Sequence, residues 1–303
     1  MRSNRPLSRS LIKLAVRLVA GKSRAHVQDW FPGLRLVAAT PQARGAIYYR
    51  GQRVGDLICS AQAVQMTGNT IYIVGSGPSI EDCDVTRAEP NSCVLLNGAL
   101  HLVPDHIGKP LAVAIEDERF VWSHFDLFER IPADCPCLFS VSVIRAICER
   151  DRRWLQGRPV TLIDDIRKPY GRARQGSADL SMLSHVRLSA DGTAGLSTMP
   201  DAGVFQGGSV VISATQFALS FRPKTIGYLG VDISNADEAR FYEKGEQAYS
   251  GVRKGQERIL SHLEMAREFA LEQGIEMVNY SPVSALKTLG FGYSDTFSRQ
   301  KTN

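Results

Sequence analysis

Short runs of β-branched and aromatic residues recur along this chain with helix-like stretches between them, and that alternation constrains the fold more than any other feature. Thr70-Ile-Tyr-Ile-Val74 is followed by Cys93–Leu96, Leu111–Ile115, Pro159–Ile163, Thr225–Leu229 and Glu276–Asn279. Each run is too short for a buried helix and is apolar at successive positions, the pattern of strands covered on both faces of a parallel sheet. Helix-like segments at Ser209–Phe221 and Gln256–Gln273 separate the later runs. Strands alternating with helices predict an α/β protein with a Rossmann-like, mostly parallel sheet and helices on both faces.

Around this core the organisation is uneven. Residues 1–60 read as a basic amphipathic helix followed by a small β extension, with Gly45-Ala-Ile-Tyr-Tyr-Arg50 and Gly51-Gln52 as a candidate hairpin; residues 61–303 carry the core. Residues 167–201, rich in Gly and Ser and weakly periodic, break the strand–helix rhythm, and so do residues 233–255. Both are lid candidates, because lids over active sites are drawn from such insertions, although plain surface loops have the same composition.

Charge is concentrated at the start. Arg2, Arg5, Arg9, Lys13, Arg17, Lys22 and Arg24 precede the first acid, Asp29, in a chain whose net charge is only +5. A basic tail on a near-neutral body predicts no nucleic-acid partner. Arg9, Lys13 and Arg17 recur at i, i+4 and i+8 among apolar residues, so a helix here has a cationic face. Two placements fit it: residues 5–24 against an anionic membrane surface, or packed on the protein's own body. Lys13 and Arg17 interrupt the apolar stretch that a cleaved signal would need, and no apolar run approaches the ~18 residues of a membrane span.

All six cysteines lie in the first half, and Cys135-Pro-Cys137 has no second pair to complete a metal site. Reduced, partly buried thiols imply a cytoplasmic location. If the basic helix touches lipid, the location is peripheral, on the inner face of the inner membrane.

The chemistry-bearing residues fall at strand ends. Gly75-Ser-Gly-Pro-Ser79 follows the first core strand, where an open α/β sheet binds ligands, and its glycines would let main-chain N–H groups approach a phosphate. A structural turn is the competing reading. The loop lacks the Lys of a Walker motif and the third glycine of the dinucleotide fingerprint. Asn97, in Leu96-Asn97-Gly98, ends the next strand beside the same crevice and could select a base or ribose. Glu116-Asp117-Glu118 ends the third; acids at a helix N-terminus explain it without a metal. Gln206-Gly207-Gly208-Ser209 precedes a helix, with Ser209 as a cap. Asp232 ends Leu229-Gly-Val-Asp232 and would either bind ribose or cap a turn; Tyr242, Tyr249 and His262 follow it.

Taken in order, these segments resemble the bacterial lipooligosaccharide sialyltransferases of glycosyltransferase family 42. That family shows a G-N-G-P-S loop, a C-N-Q strand end, a T-S-G turn before a long helix and a strand ending S-G-I-D. The counterparts here are Gly75–Ser79, Leu96–Gly98, Gln206–Ser209 and Leu229–Asp232, and Tyr280-Ser-Pro-Val-Ser284 is similar to its C-P-N-S segment. The resemblance implies a GT-A-like catalytic domain over residues 61–303 that binds a nucleotide sugar. It implies a CMP-activated sugar acid, sialic acid or Kdo, inversion at the anomeric carbon, a lipid-linked oligosaccharide acceptor, no cofactor or catalytic metal, and a homo-oligomer. Gly75, Ser76, Gly77, Ser79, Asn97, Gly207, Gly208, Ser209 and Asp232 would hold the nucleotide. Tyr242 and Tyr249 would hydrogen-bond the departing phosphate and His262 would take the acceptor's proton. Ser76 replaces the family's loop asparagine, and His262 falls a few residues from the position of the family's base.

The same G-x-G-P-S and Asn-Gly pattern is also similar to archaeal-type pterin diphosphokinase-like proteins. There the nucleotide is ATP, and Glu116 to Glu118 would become magnesium ligands. A non-catalytic nucleotide-binding protein at the membrane surface is a third reading.

Overall fold

The computed structural model describes residues 6–64, 66, 68–233, 241–242 and 255–299. The chain opens with helix α1 (Leu7–Ala20), then a hairpin of β1 (Leu34–Val37), β2 (Ala46–Tyr49) and β3 (Gln52–Leu57), and a single turn α2 (Ser60–Ala63). The core follows as β4 (Thr70–Val74), β5 (Cys93–Leu96), β6 (Ala112–Ile115), α3 (Glu118–Ser123), β7 (Cys137–Ser140), α4 (Val141–Asp151) and β8 (Pro159–Ile163). After α5 (Ser177–Ser181), β9 (Val186–Leu188) and β10 (Gly195–Ser197) come α6 (Val210–Ser220), β11 (Thr225–Leu229), α7 (Gln256–Glu272), β12 (Glu276–Asn279) and β13 (Gly292–Tyr293).

Among the described residues, eleven strands form one sheet in the order β1-β2-β3-β8-β7-β6-β5-β4-β11-β12-β13. All pairs are parallel except β1–β2 and β2–β3. The α/β class expected from the apolar runs is what the chain adopts. β5 to β8 add on one side of β4 and β11 to β13 on the other, so strand order reverses between β4 and β11. Open α/β sheets present ligand crevices at that reversal.

The segment 34–57, read from sequence as a small extension, is one edge of this sheet, with Asp56 opposite Pro159 and Leu57 opposite Val160. Its hairpin turns at Arg50 and Gly51, both at positive φ (50° and 81°), the geometry that matches strand twist in a two-residue connection. β7 was not expected. Its four residues are fully buried, but they begin at the second cysteine of the Cys-Pro-Cys that drew attention as a metal motif.

Two apolar layers cover the sheet. Phe120, Ile144, Phe128 and Phe139 belong to the layer containing α3 and α4, whereas Val211, Phe217, Leu263 and Ala266 belong to that containing α6 and α7. The N-terminal segment is tied to the first layer by Arg145 of α4. Its fully buried guanidinium donates to the Asp29 carbonyl at 3.0 Å, to Glu149 at 2.6 Å and to the carboxylate of Glu118.

The segment 167–201 contains α5 and a β9–β10 hairpin. Its Gly195 lies against the Phe205 ring and its Ser197 N–H donates to Gln216 of α6 at 2.9 Å. Of the second lid candidate, only Ile233, Phe241, Tyr242 and Gly255 are among the described residues, and Tyr249 lies outside them.

Candidate active site

The Gly75 loop is held from beneath by its neighbour across the strand reversal. Gly75 N–H donates to Leu229 at 2.8 Å, Gly77 N–H to Gly230 at 2.8 Å, and Ser79 N–H to Asp232 at 2.8 Å. The Ser79 and Ser281 hydroxyls also donate to Asp232, each at 2.6 Å. A Cβ at Gly77 would overlap the Asp232 carboxylate. The N–H groups of Gly75, Gly77 and Ser79, expected to cradle a phosphate, are thus bonded within the protein, and the glycines allow close packing on β11. Asp232 likewise holds the loop rather than standing open to a ribose. Pro78 opens a five-residue 3-10 turn, Pro78–Asp82, not a helix long enough to carry a dipole-bound phosphate. Ser76, Gly77 and Pro78 are the half-buried residues of the loop.

Beside it, at the end of β5, Asn97 takes φ of 44°, a left-handed conformation that Asn tolerates better than most residues and that clusters at functional sites. Its Oδ1 is buried and accepts no hydrogen bond among the described residues. Next to it the Tyr242 ring occupies the space that a Cβ on Gly98 would fill. His101 stacks on Tyr242 at 4.3 Å between ring centroids and 21° between planes, and His124 meets its edge at 6.0 Å. Burial and the charge of Arg130 hold the His101 imidazole below its ordinary value, which keeps it neutral. Sequence reading did not single out His101 or His124; an aromatic contact to a residue more than a hundred positions away leaves no local signal.

A second group gathers on the α6–α7 side. Gly207 and Gly208 turn at φ of 53° and 96°. Arg258 of α7 donates through Nε to the Gly207 carbonyl at 2.6 Å, and a Cβ at Gly207 would lie 3.0 Å from His262 Nε2. His262 is 3% exposed, and its Nδ1 lies 2.8 Å from the carbonyl and 3.1 Å from the amide nitrogen of Gly195. Burial holds its pKa down, so the ring is neutral with its Nε2 edge toward the Gly207 turn. Ser209 stands at the N-cap position of α6, but its side chain makes no capping hydrogen bond. The structure thus brings Asn97 together with Gly98 and Tyr242, and His262 together with Gly207, as two separate groups.

Glu116 follows β6, its carboxyl hydrogen-bonded to Ser213 of α6. A cavity of about 80 Å³ opens there, walled by Asp29, Trp30, Glu116, Ser140, Asp164 and Gln206 among others. Burial pushes the Glu116 carboxyl up to about 8 and that of Asp164 to about 7, and raises that of Asp29. Asp164 also follows directly on an apolar strand, the same signal that marked Glu116, and could have been found that way. Glu116, Asp117 and Glu118 diverge. Asp117 caps α3 by accepting from Arg119 N–H at 2.9 Å, and Glu118 pairs with Arg145. Among the described residues no group of three or more His, Cys, Asp or Glu could hold a metal ion, and the six cysteines are buried and unpaired.

No family model matches the chain, and no curated protein matches it. Among solved structures it is similar to the sialyltransferase CstII from Campylobacter jejuni in complex with a substrate analogue, cytidine-5'-monophosphate, at 12% identity and a TM-score of 0.41, over 78% of this chain and 89% of that one. It is also similar to the monofunctional alpha-2,3-sialyltransferase Cst-I from the same organism, at 13% identity and a TM-score of 0.43, over 79% and 85%. At these identities and TM-scores the likeness assigns no activity, which must be argued from the residues of the chain itself.

Proposed function

We propose that this protein is a glycosyltransferase that moves a sugar acid, sialic acid or Kdo, from a CMP-activated donor to a lipid-linked surface glycan, with inversion and without a catalytic metal. The observation that carries the reading is Asn97. Its buried, unpartnered Oδ1 sits at a strand end beside Ser76 and under Tyr242. A buried acceptor without a donor is costly, and cytosine supplies one through its exocyclic amine where uracil presents a carbonyl. The base and ribose would lie over Asn97 and Gly98, with Ser76 at the sugar or phosphate.

In the proposed step the acceptor hydroxyl oxygen attacks the anomeric carbon, the bond from that carbon to the phosphate oxygen breaks, and its electron pair leaves with CMP. Tyr242, with Tyr249 from the neighbouring segment, would donate hydrogen bonds to the departing phosphate. His262 would take the hydroxyl proton through Nε2, in the tautomer whose Nδ1–H donates to the Gly195 carbonyl.

Thermal unfolding with CMP, CDP, UDP, ADP and ATP, each with and without magnesium, tests this, because a ligand bound only by the folded state raises Tm by mass action. CMP is expected to raise Tm without magnesium, and the Asn97→Ala protein to lose most of that rise. Stabilisation by ATP with magnesium and none by CMP would sink the reading in favour of diphosphoryl transfer.

A further inference from the structure

Helix α1 packs on the body along one side only. Arg9, 3% exposed, donates to the carbonyl of Phe31 at 2.8 Å and to that of Gln28, and lies 3.8 Å from Glu149. Val16, 8% exposed and seven residues later, falls on the same side. The cationic face expected from Arg9, Lys13 and Arg17 is therefore divided: Arg9 turns inward, while Lys13 and Arg17 stay exposed.

The side opposite Arg9 carries Leu7, Leu11, Leu14 and Leu18, at i, i+4, i+7 and i+11. They are 84%, 68%, 57% and 76% exposed, and Val19 beside them is 89% exposed. Four leucines in one contiguous solvent-facing stripe need an occupant in a way that a scattered exposed leucine does not.

Charge identifies it. From Leu7 to Ala20 the helix has no acidic residue; exposed Lys13 and Arg17 lie along one side of the stripe, and Lys22 and Arg24 continue the basic run past its end. The groove between α1 and the body is bordered by five further exposed arginines, Arg50, Arg53, Arg150, Arg152 and Arg153, of which Arg53 pairs with Asp56 and Arg153 with Asp151. A surface that is apolar along its ridge and cationic along one side complements an anionic bilayer, which takes leucines at the acyl boundary and guanidinium and ammonium groups at lipid phosphates. No helix of the described residues is long and apolar enough to cross a membrane; at 14 residues α1 fits the interface instead.

We propose that α1 is an interfacial anchor that seats the protein on an anionic bilayer by the Leu7-Leu11-Leu14-Leu18 stripe, with the flanking Lys and Arg residues reading lipid charge. The inference stands apart from the donor chemistry. Arg9 acts as a clip that holds the helix with its leucines outward before lipid is met. The chain just after α1 supplies Asp29 and Trp30 to the wall of the cavity at Glu116.

Co-sedimentation of the full chain with vesicles of phosphatidylcholine alone, or mixed with phosphatidylglycerol, is the test. The protein should sediment with the mixed vesicles at low salt, stay in solution with the neutral ones, and be released by high salt. The double substitution Leu11→Glu/Leu18→Glu should weaken binding by about tenfold or more, and Lys13→Glu/Arg17→Glu should also weaken it. Both should leave Tm unchanged, because the altered side chains are solvent-exposed. The proposal is overturned if the unaltered protein ignores anionic vesicles or binds neutral ones as well. It is also overturned if Leu11→Glu/Leu18→Glu dissociates a dimer in sedimentation velocity while vesicle binding stays intact, which would make the stripe a contact between two copies of the chain.

Discussion

Asp232 grips Ser79 at two points, accepting from its main-chain N–H at 2.8 Å and from its hydroxyl at 2.6 Å across 153 residues of sequence. Because the Ser281 hydroxyl donates to the same carboxylate, Asp232→Ala leaves three buried donors unsatisfied. The expected loss is about 2–4 kcal/mol of unfolding free energy, and Asp232→Asn, which keeps one acceptor oxygen, should lose less. Urea denaturation of the two proteins measures both. A cost within error of zero for Asp232→Ala would show that the loop does not depend on this carboxylate.

Gly98→Ala separates placement of Tyr242 from overall stability. The added methyl would fall within the Tyr242 ring, and Tyr242 belongs to no strand of the sheet. The ring should be displaced, with little change in Tm but a loss of turnover of about tenfold or more. Equal turnover in the two proteins would remove Tyr242 from the phosphate-binding role.

Glu116 makes stability depend on pH in a defined direction. Its carboxyl titrates at about 8 when folded, against about 4.3 in an unfolded chain. Between those values the folded state keeps a proton that the unfolded state has released. Stability is therefore full below about pH 4 and declines as pH rises toward 8. Asp164, raised to about 7, acts in the same direction. The Glu116→Gln protein lacks this titration and keeps a partner for Ser213. Its Tm relative to the unaltered protein should rise steadily from about pH 5 to about pH 8; a difference independent of pH would refute the assignment.

Arg145 is the fully buried cation that joins α4, α3 and the N-terminal segment. Arg145→Ala removes the guanidinium from the carboxylate of Glu118, itself 3% exposed, and should cost about 3–5 kcal/mol. Removing both charges as Arg145→Met/Glu118→Gln should recover part of that loss. Denaturant unfolding of the single and double variants checks this, and a double variant worse than the sum of its parts would contradict it.

What could be read from the chain and what could not divide along physical lines. Thr70–Val74, Thr225–Leu229 and Glu276–Asn279 were legible because a strand buried on both faces must be apolar at nearly every position. The hairpin at Arg50 and Gly51 was legible because its turn is local. Cys137–Ser140 is as buried as any strand, but its four residues are too few to outweigh the Cys-Pro-Cys beside them. Arg9 was misread for a different reason. Helical spacing places it with Lys13 and Arg17, while its actual partners, the carbonyls of Gln28 and Phe31, exist only once the chain has folded back. The candidate site was legible as a set of strand ends, since sheet topology fixes those. The Asp232 grip on Ser79, the His101 stack on Tyr242 and the Glu116 bond to Ser213 were not, because each is a long-range contact with no local signature.

The pairing of β4 with β11 also has a bearing on how the protein is made. Thr70 lies opposite Thr225, so the strand that bears the Gly75 loop remains an open edge until the later part of the chain has emerged from the ribosome. Contacts of such wide sequence separation form slowly, and an unpaired apolar strand invites association with other chains. The loop gains its support from Leu229, Gly230 and Asp232 only when that edge closes. A nascent chain that stalls before Thr225 thus exposes an apolar strand edge prone to aggregate, with the Gly75 loop still lacking its support.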